Sequence, residues 1–67
     1  MITILNESAA PKYKINQEVY DKSKDMILKV KDFYKEDDVW YYCCDVPAGS
    51  KGKTYEVWIQ EDTLEYI

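Results

Sequence analysis

Between Val39 and Val46 the chain reads Val-Trp-Tyr-Tyr-Cys-Cys-Asp-Val, which sets both large aromatic types, two adjacent thiols and two valines into eight residues. All of these except the aspartate favour a pleated, half-buried surface, so the run predicts the central strand of a small β-structure. Side chains alternate faces along a strand, and Cys43 and Cys44 therefore point opposite ways. A bridge between such neighbours would distort the backbone, so both are expected as free thiols, with Cys44 inward. The chain has no histidine and no second cysteine pair, and these two thiols do not make a zinc site by themselves. No metal and no cofactor is expected.

The strands on either side follow from the turns. Pro47-Ala48-Gly49-Ser50-Lys51-Gly52 holds the only two glycines and reads as a hairpin loop. Lys53 to Gln60 then returns, alternating Tyr55, Val57 and Ile59 against Thr54, Glu56 and Trp58. Symmetric closure sets Val46 opposite Lys53 and pairs Cys44 with Tyr55, Tyr42 with Val57 and Trp40 with Ile59. Those pairs are apolar on both sides, so Trp40, Tyr42, Val57 and Ile59 are expected in the core. The other face pairs Cys43 with Glu56, Tyr41 with Trp58 and Val39 with Gln60. Upstream, Lys35-Glu36-Asp37-Asp38 is a charged turn, and Met26 to Tyr34 alternates Leu28 and Val30 against Lys29 and Lys31. Extending the register puts Leu28 by Cys44 and Val30 by Tyr42, inward, and Lys31 by Tyr41 and Phe33 by Val39, outward. Phe33, Tyr41 and Trp58, with Lys31 beside them, are therefore the expected binding residues. An aromatic patch of this kind on a small monomer calls for a cover, either Met1–Leu5, a partner chain or a second copy.

Sixty-seven residues make one domain. Residues 1–12 read as an N-terminal extension, with Met1–Leu5 a short apolar strand candidate followed by a loop ending in Pro11. Residues 13–67 form the domain proper. Tyr13 to Asp21 reads as its first strand, with Tyr13, Ile15 and Val19 apolar, and Asp21 to Asp25 as a polar turn. Over residues 16–34 a helix competes, because Val19, Tyr20, Ser23, Met26, Ile27, Val30, Phe33 and Tyr34 also share one helical face. Glu61-Asp62-Thr63 suggests one short helical turn, and Leu64 to Ile67 a last short strand.

Tyr13 to Leu64 resembles the YodC-like family of small bacterial proteins of unknown function. That pattern opens with hydrophobic-Gly-Asp-x-Val, then Lys-Ser-Gly-Gly and Met-x-Val, and later has a Cys in an aromatic strand and a closing Leu. The matching residues here are Ile15-Asn16-Gln17-Glu18-Val19, Lys22-Ser23-Lys24-Asp25, Met26-Ile27-Leu28-Lys29-Val30, Trp40-Tyr41-Tyr42-Cys43-Cys44 and Glu61-Asp62-Thr63-Leu64. The glycines are replaced, Gly-Asp by Asn16-Gln17 and Gly-Gly by Lys24-Asp25, with Asn and Asp the residues that best tolerate positive φ after glycine. The resemblance implies an all-β fold, a small SH3-like barrel of about five strands, and resolves residues 16–34 toward strands. It implies no activity.

Charge and chemistry narrow the function. Nine lysines, thirteen acids and no arginine give a net charge of −4. Arginine is the residue of bidentate phosphate and guanine recognition, and a negative surface repels a duplex, so no direct nucleic-acid binding is expected. A basic protein surface suits the chain better. No apolar run is long enough to span a membrane, and the first residues lack the charged and apolar regions of a signal peptide, so a cytoplasmic protein is expected. Ser23 and Ser50 lie in polar turns with no histidine to activate them, the paired acids sit on exposed turns, and the glycine loop is too short to cradle phosphate. The chain is expected not to be an enzyme but a small protein-interaction module working through its outer aromatic face. Two alternatives stand beside that reading. One is an acidic inhibitor or nucleic-acid mimic of the phage or mobile-element type, built on Glu36-Asp37-Asp38, Glu61-Asp62 and Glu65. The other is an aromatic-cage reader of cationic or methylated side chains, with Tyr20, Tyr34 and Tyr41 as candidates.

Overall fold

The computed structural model describes residues 10–49 and 51–67. Five strands, β1 (Glu18–Asp21), β2 (Met26–Glu36), β3 (Val39–Pro47), β4 (Thr54–Gln60) and β5 (Leu64–Glu65), form one antiparallel sheet in the order β4-β3-β2-β1-β5. A 3₁₀ turn, Glu61–Thr63, leads from β4 into β5. The all-β expectation stands, and the helix over residues 16–34 is replaced by β1 and β2. The aromatic-thiol run is a strand flanked on both sides, with β2 and β4 as its neighbours. Whether Met1–Leu5 covers a face lies outside the described residues.

The first strand is shorter than its sequence suggests. Residues 14–17 form a turn that is tied to β2, where the Asn16 amide donates to the Val30 carbonyl at 2.7 Å and the Val30 amide to the Gln17 carbonyl at 2.9 Å. Ile15 is consequently exposed rather than core-facing. The polar turn ahead of β2 is as expected, over residues 22–25. Asn16 and Asp25 adopt φ of 73° and 54°, the left-handed region, at two of the positions where the resembled pattern carries glycine. Downstream, β2 runs on through Glu36, and only Asp37 and Asp38 remain as a turn. Both have positive φ, 52° and 66°, the signature of a type I′ hairpin whose twist matches the strands it joins.

The β3–β4 hairpin closes two residues out of the expected register. Pro47 pairs with Thr54 and Val46 with Tyr55, so Cys44 meets Val57 and Tyr42 meets Ile59. A slide of two residues preserves the side-chain parity, which is why the core face is the one foreseen although the partners differ. That core consists of Tyr13, Val19, Leu28, Val30, Tyr42, Cys44, Val46, Ile59 and Leu64. Trp40 and Val57 pack against it half-buried. Trp40 stands opposite Lys35 and has no residue of β4 across from it, so it is a margin of the core rather than its centre.

One irregularity changes a face. Val30 pairs with Cys44 but Asp32 pairs with Cys43, which leaves Lys31 as an extra residue in β2, a β-bulge. Past the bulge the parity of β2 inverts. Phe33 falls opposite Tyr42 on the core side, where its ring meets Trp40 at 5.5 Å and Tyr42 at 6.0 Å. Tyr34 takes the outward position opposite Tyr41.

Candidate binding face

The side of the sheet away from the core is carried by the second half of β2, with β3 and β4. Tyr34 and Tyr41 stack across the β2–β3 pair, ring centroids 5.2 Å apart and planes 16° from parallel. Trp58, opposite Cys43, meets the Tyr34 ring edge to face at 4.9 Å. Tyr34 is thus the hinge of a three-ring cluster. About half of Trp58 and two-fifths of Tyr34 reach solvent, at 48% and 42%. Aromatic pairs of this kind contribute only about 0.5–1.5 kcal/mol beyond the area they bury, so leaving so much ring exposed is not explained by stability.

Of the expected binding residues, Tyr41, Trp58 and Lys31 lie on this face and Phe33 does not. The correction has a physical cause: the bulge at Lys31 turns Phe33 inward and puts Tyr34 in its place. Tyr41 and Trp58 are also not direct partners, because the register slide sets Tyr41 opposite Gln60. They join through Tyr34. A signal for this exists in the sequence, since Leu28, Val30 and Phe33 break the period of two just where the polar pair Lys31-Asp32 interrupts the strand.

Lys31 is tied down. Its Nζ donates to Glu56 Oε2 at 2.6 Å and to Asp45 Oδ1 at 3.2 Å, and those hydrogen bonds raise the amine above its ordinary pKa. Cys43 lies on the same face yet is buried, and burial pushes its thiol up, with the Glu56 carboxylate adding to the effect. Cys44, within the core, is pushed up by burial to about 11. Neither thiol has the depressed pKa that reactivity requires.

Tyr20 stands apart from the three rings. It is on β1, and its hydroxyl donates to the Asp25 carboxylate. The stacking of Tyr34 on Tyr41 also closes the space between those rings, so the two do not form the walls of a slot. The chain accordingly does not assemble the cage of Tyr20, Tyr34 and Tyr41.

Two polar arrangements were not foreseen. The Asp21 carboxylate is buried, yet Oδ1 accepts from the Ser23 amide, the Ser23 hydroxyl and the Lys24 amide at 2.7–3.0 Å, while Oδ2 takes Lys24 Nζ at 3.1 Å. Burial pushes this carboxyl upward, but the bonds from Ser23 and Lys24 together outweigh it and leave the group below its ordinary value. So low a base does not activate the Ser23 hydroxyl it holds. Elsewhere in the sheet, the Tyr42 hydroxyl donates to Glu61 Oε2 at 2.6 Å and accepts the Lys12 amide at 2.8 Å. Burial and the Glu61 bond push that phenol to about 12. The chain entering the domain is thereby clamped to the start of the 3₁₀ turn.

A shallow cleft of about 600 Å³ lies beside this clamp, lined by Lys12, Lys22, Glu61, Asp62, Leu64, Glu65 and Tyr66. Its charges answer one another: Lys22 faces Glu65 at 3.8 Å, and Lys12 Nζ lies 5.2 Å from the Tyr66 ring centre. Glu61 is turned inward to Tyr42, so it does not join Asp62 in an outward acidic row. Among the described residues no group of three or more potential ligands is placed to hold a metal ion, and no helix is long and apolar enough to cross a membrane. No protein-family model, curated protein or solved structure matches the chain.

Proposed function

We propose that this protein is a small, non-enzymatic interaction module that binds a protein partner through the cluster of Tyr34, Tyr41 and Trp58. The observation that carries the reading is a cluster in which the exposed Tyr34 ring touches both Tyr41 and the exposed Trp58, on a sheet whose opposite face already supplies the core. Trp and Tyr are enriched where partners bind, because a large rigid ring loses little entropy and gains much on desolvation. Lys31 belongs to the margin of this site, where it orders Asp45 and Glu56. The same reading takes the domain as an SH3-like barrel of the YodC-like kind, working in the cytoplasm. Five antiparallel strands with β1 between β2 and β5 support it, as does positive φ at Asn16 and Asp25. A scaffold of that class serves many binding tasks, so the assignment rests on the face and not on the fold.

The acidic-mimic alternative has less support, because the Glu61 carboxylate is engaged with Tyr42 and the Lys12 amide. Affinity capture from a cell lysate, with parent and Trp58→Ala compared by mass spectrometry, tests the proposal. The parent is expected to retain a partner that Trp58→Ala loses while unfolding as cooperatively as the parent. A variant that keeps every partner overturns the reading.

A further inference from the structure

The charge around the three rings indicates what kind of segment they receive. By register, β2, β3 and β4 put four carboxylates on this face, Asp32, Glu36, Asp45 and Glu56, against two lysines, Lys29, which stands opposite Glu18 of β1, and Lys31 of the bulge. Lys31 is consumed by Asp45 and Glu56, at the far side of Cys43 from Tyr34. Asp32 and Glu36 flank Tyr34 on its own strand, and among the described residues neither enters an ion pair. The rings are therefore bordered by uncompensated negative charge on a chain that carries −4 overall.

We infer that the face binds a cationic segment, a stretch of partner protein whose lysine or arginine side chains lie on the Tyr34, Tyr41 and Trp58 rings with their charge toward Asp32 and Glu36. The inference rests on the binding-face reading and adds the chemistry of the occupant. The negative face of an aromatic ring attracts a cation, and the attraction grows when nearby carboxylates hold the cation there and the ring desolvates its stem. A second copy of this chain is a poor occupant by the same reasoning, since it would bring four more carboxylates against the four already present. Neutral apolar segments would cover the rings but bring no opposite charge to Asp32 and Glu36, which accept from the neutral Phe33 amide and Tyr34 hydroxyl.

The test uses the full-length ¹⁵N-labelled protein titrated with three synthetic nonapeptides of alternating glycine with lysine, arginine or glutamine, followed by amide and indole resonances. Saturable shifts at Trp58, Tyr34 and Glu36 are expected with the lysine and arginine peptides and not with the glutamine peptide, weakening as salt is raised. The double variant Asp32→Asn, Glu36→Gln, which keeps all three rings, is expected to lower the affinity roughly five-fold, as loss of complementary charge at a rim does. Equal binding of the glutamine peptide, shifts confined to the cleft at Glu61–Tyr66, or an unchanged affinity in the double variant would each overturn the cationic assignment. These results are separable from failure of the face itself. If the basic peptides do not bind but Trp58→Ala still loses a captured partner, the face stands and its occupant is not cationic. If Trp58→Ala loses nothing, both readings fall together.

Discussion

Asp21 shows how one side chain can fix a turn that the sequence leaves loose. Its carboxylate gathers two amides, a hydroxyl and an ammonium into the loop between β1 and β2, while the Asp25 amide donates to the Asp21 carbonyl at 2.8 Å. Truncation to Ala strands the donors of Ser23 and Lys24 beside the core, so Asp21→Ala is expected to cost about 2–3 kcal/mol by urea denaturation, in the range for hydrogen bonds to a charged group. Because the folded-state pKa is depressed, this contribution is present above the ordinary carboxyl value of 3.8 and is lost as pH falls through the lower folded value. Melts at falling pH should thus show a steeper acid limb for the parent than for Asp21→Asn; equal limbs would rule the role out. Tyr42 is the matching device elsewhere in the sheet, where a core ring carries a buried hydroxyl that three groups share. The sequence marks Tyr42 as core but is silent on its hydroxyl, because Glu61 and Lys12 are 19 and 30 residues away.

At the scale of elements, the β-bulge decides which aromatics face out. Phe33→Ala is expected to cost about 2 kcal/mol, less than a fully buried Phe because the ring is half-buried, whereas Tyr34→Ala should cost under about 1 kcal/mol. The reverse order would mean that β2 keeps strict alternation. The strands themselves were legible, since alternation in β3 and β4 reports burial directly and a register error of two residues leaves every face intact. The bulge left only the break of period between Val30 and Phe33 as its trace, because a single inserted residue alters parity without altering composition, and so Phe33 and Tyr34 exchanged places. The first strand was overdrawn for a related reason: Ile15 is apolar, but the turn at Asn16 is pinned to Val30 and carries Ile15 outward. The Asp37-Asp38 turn offers a further check. Both residues sit in the left-handed region, where a side chain costs energy and glycine does not. Asp38→Gly should raise stability by about 0.5–1 kcal/mol, and a loss of stability in the urea midpoint would contradict the type I′ geometry.

For the molecule as a whole, and apart from Cys43 on the outer face, the buried phenols and thiols that burial holds protonated belong to one core. Tyr13, Tyr42 and Cys44 are packed together there, and burial leads the upward shift in each, to about 12 for Tyr42 and about 11 for Cys44. A thiol or phenol whose folded pKa lies above its unfolded value makes its contribution in full below the unfolded value. That contribution is lost as pH rises toward the folded one. For Cys44 the window opens at about pH 9 and closes near 11, and for Tyr42 it runs from about 10 to about 12. The melting temperature is therefore expected to hold steady from neutrality to about pH 9 and then to fall in two overlapping stages. Loss of charge from the nine lysines adds to the fall, since it leaves thirteen acids unopposed on a small surface. That repulsion acts equally on a Cys44→Ala variant, which has no thiol to ionise. The difference in slope between the two proteins over pH 9–11 isolates the buried thiol, and it should be shallower in the variant whatever the cavity costs in absolute stability. Parallel slopes would show that Cys44 is not held protonated by the core.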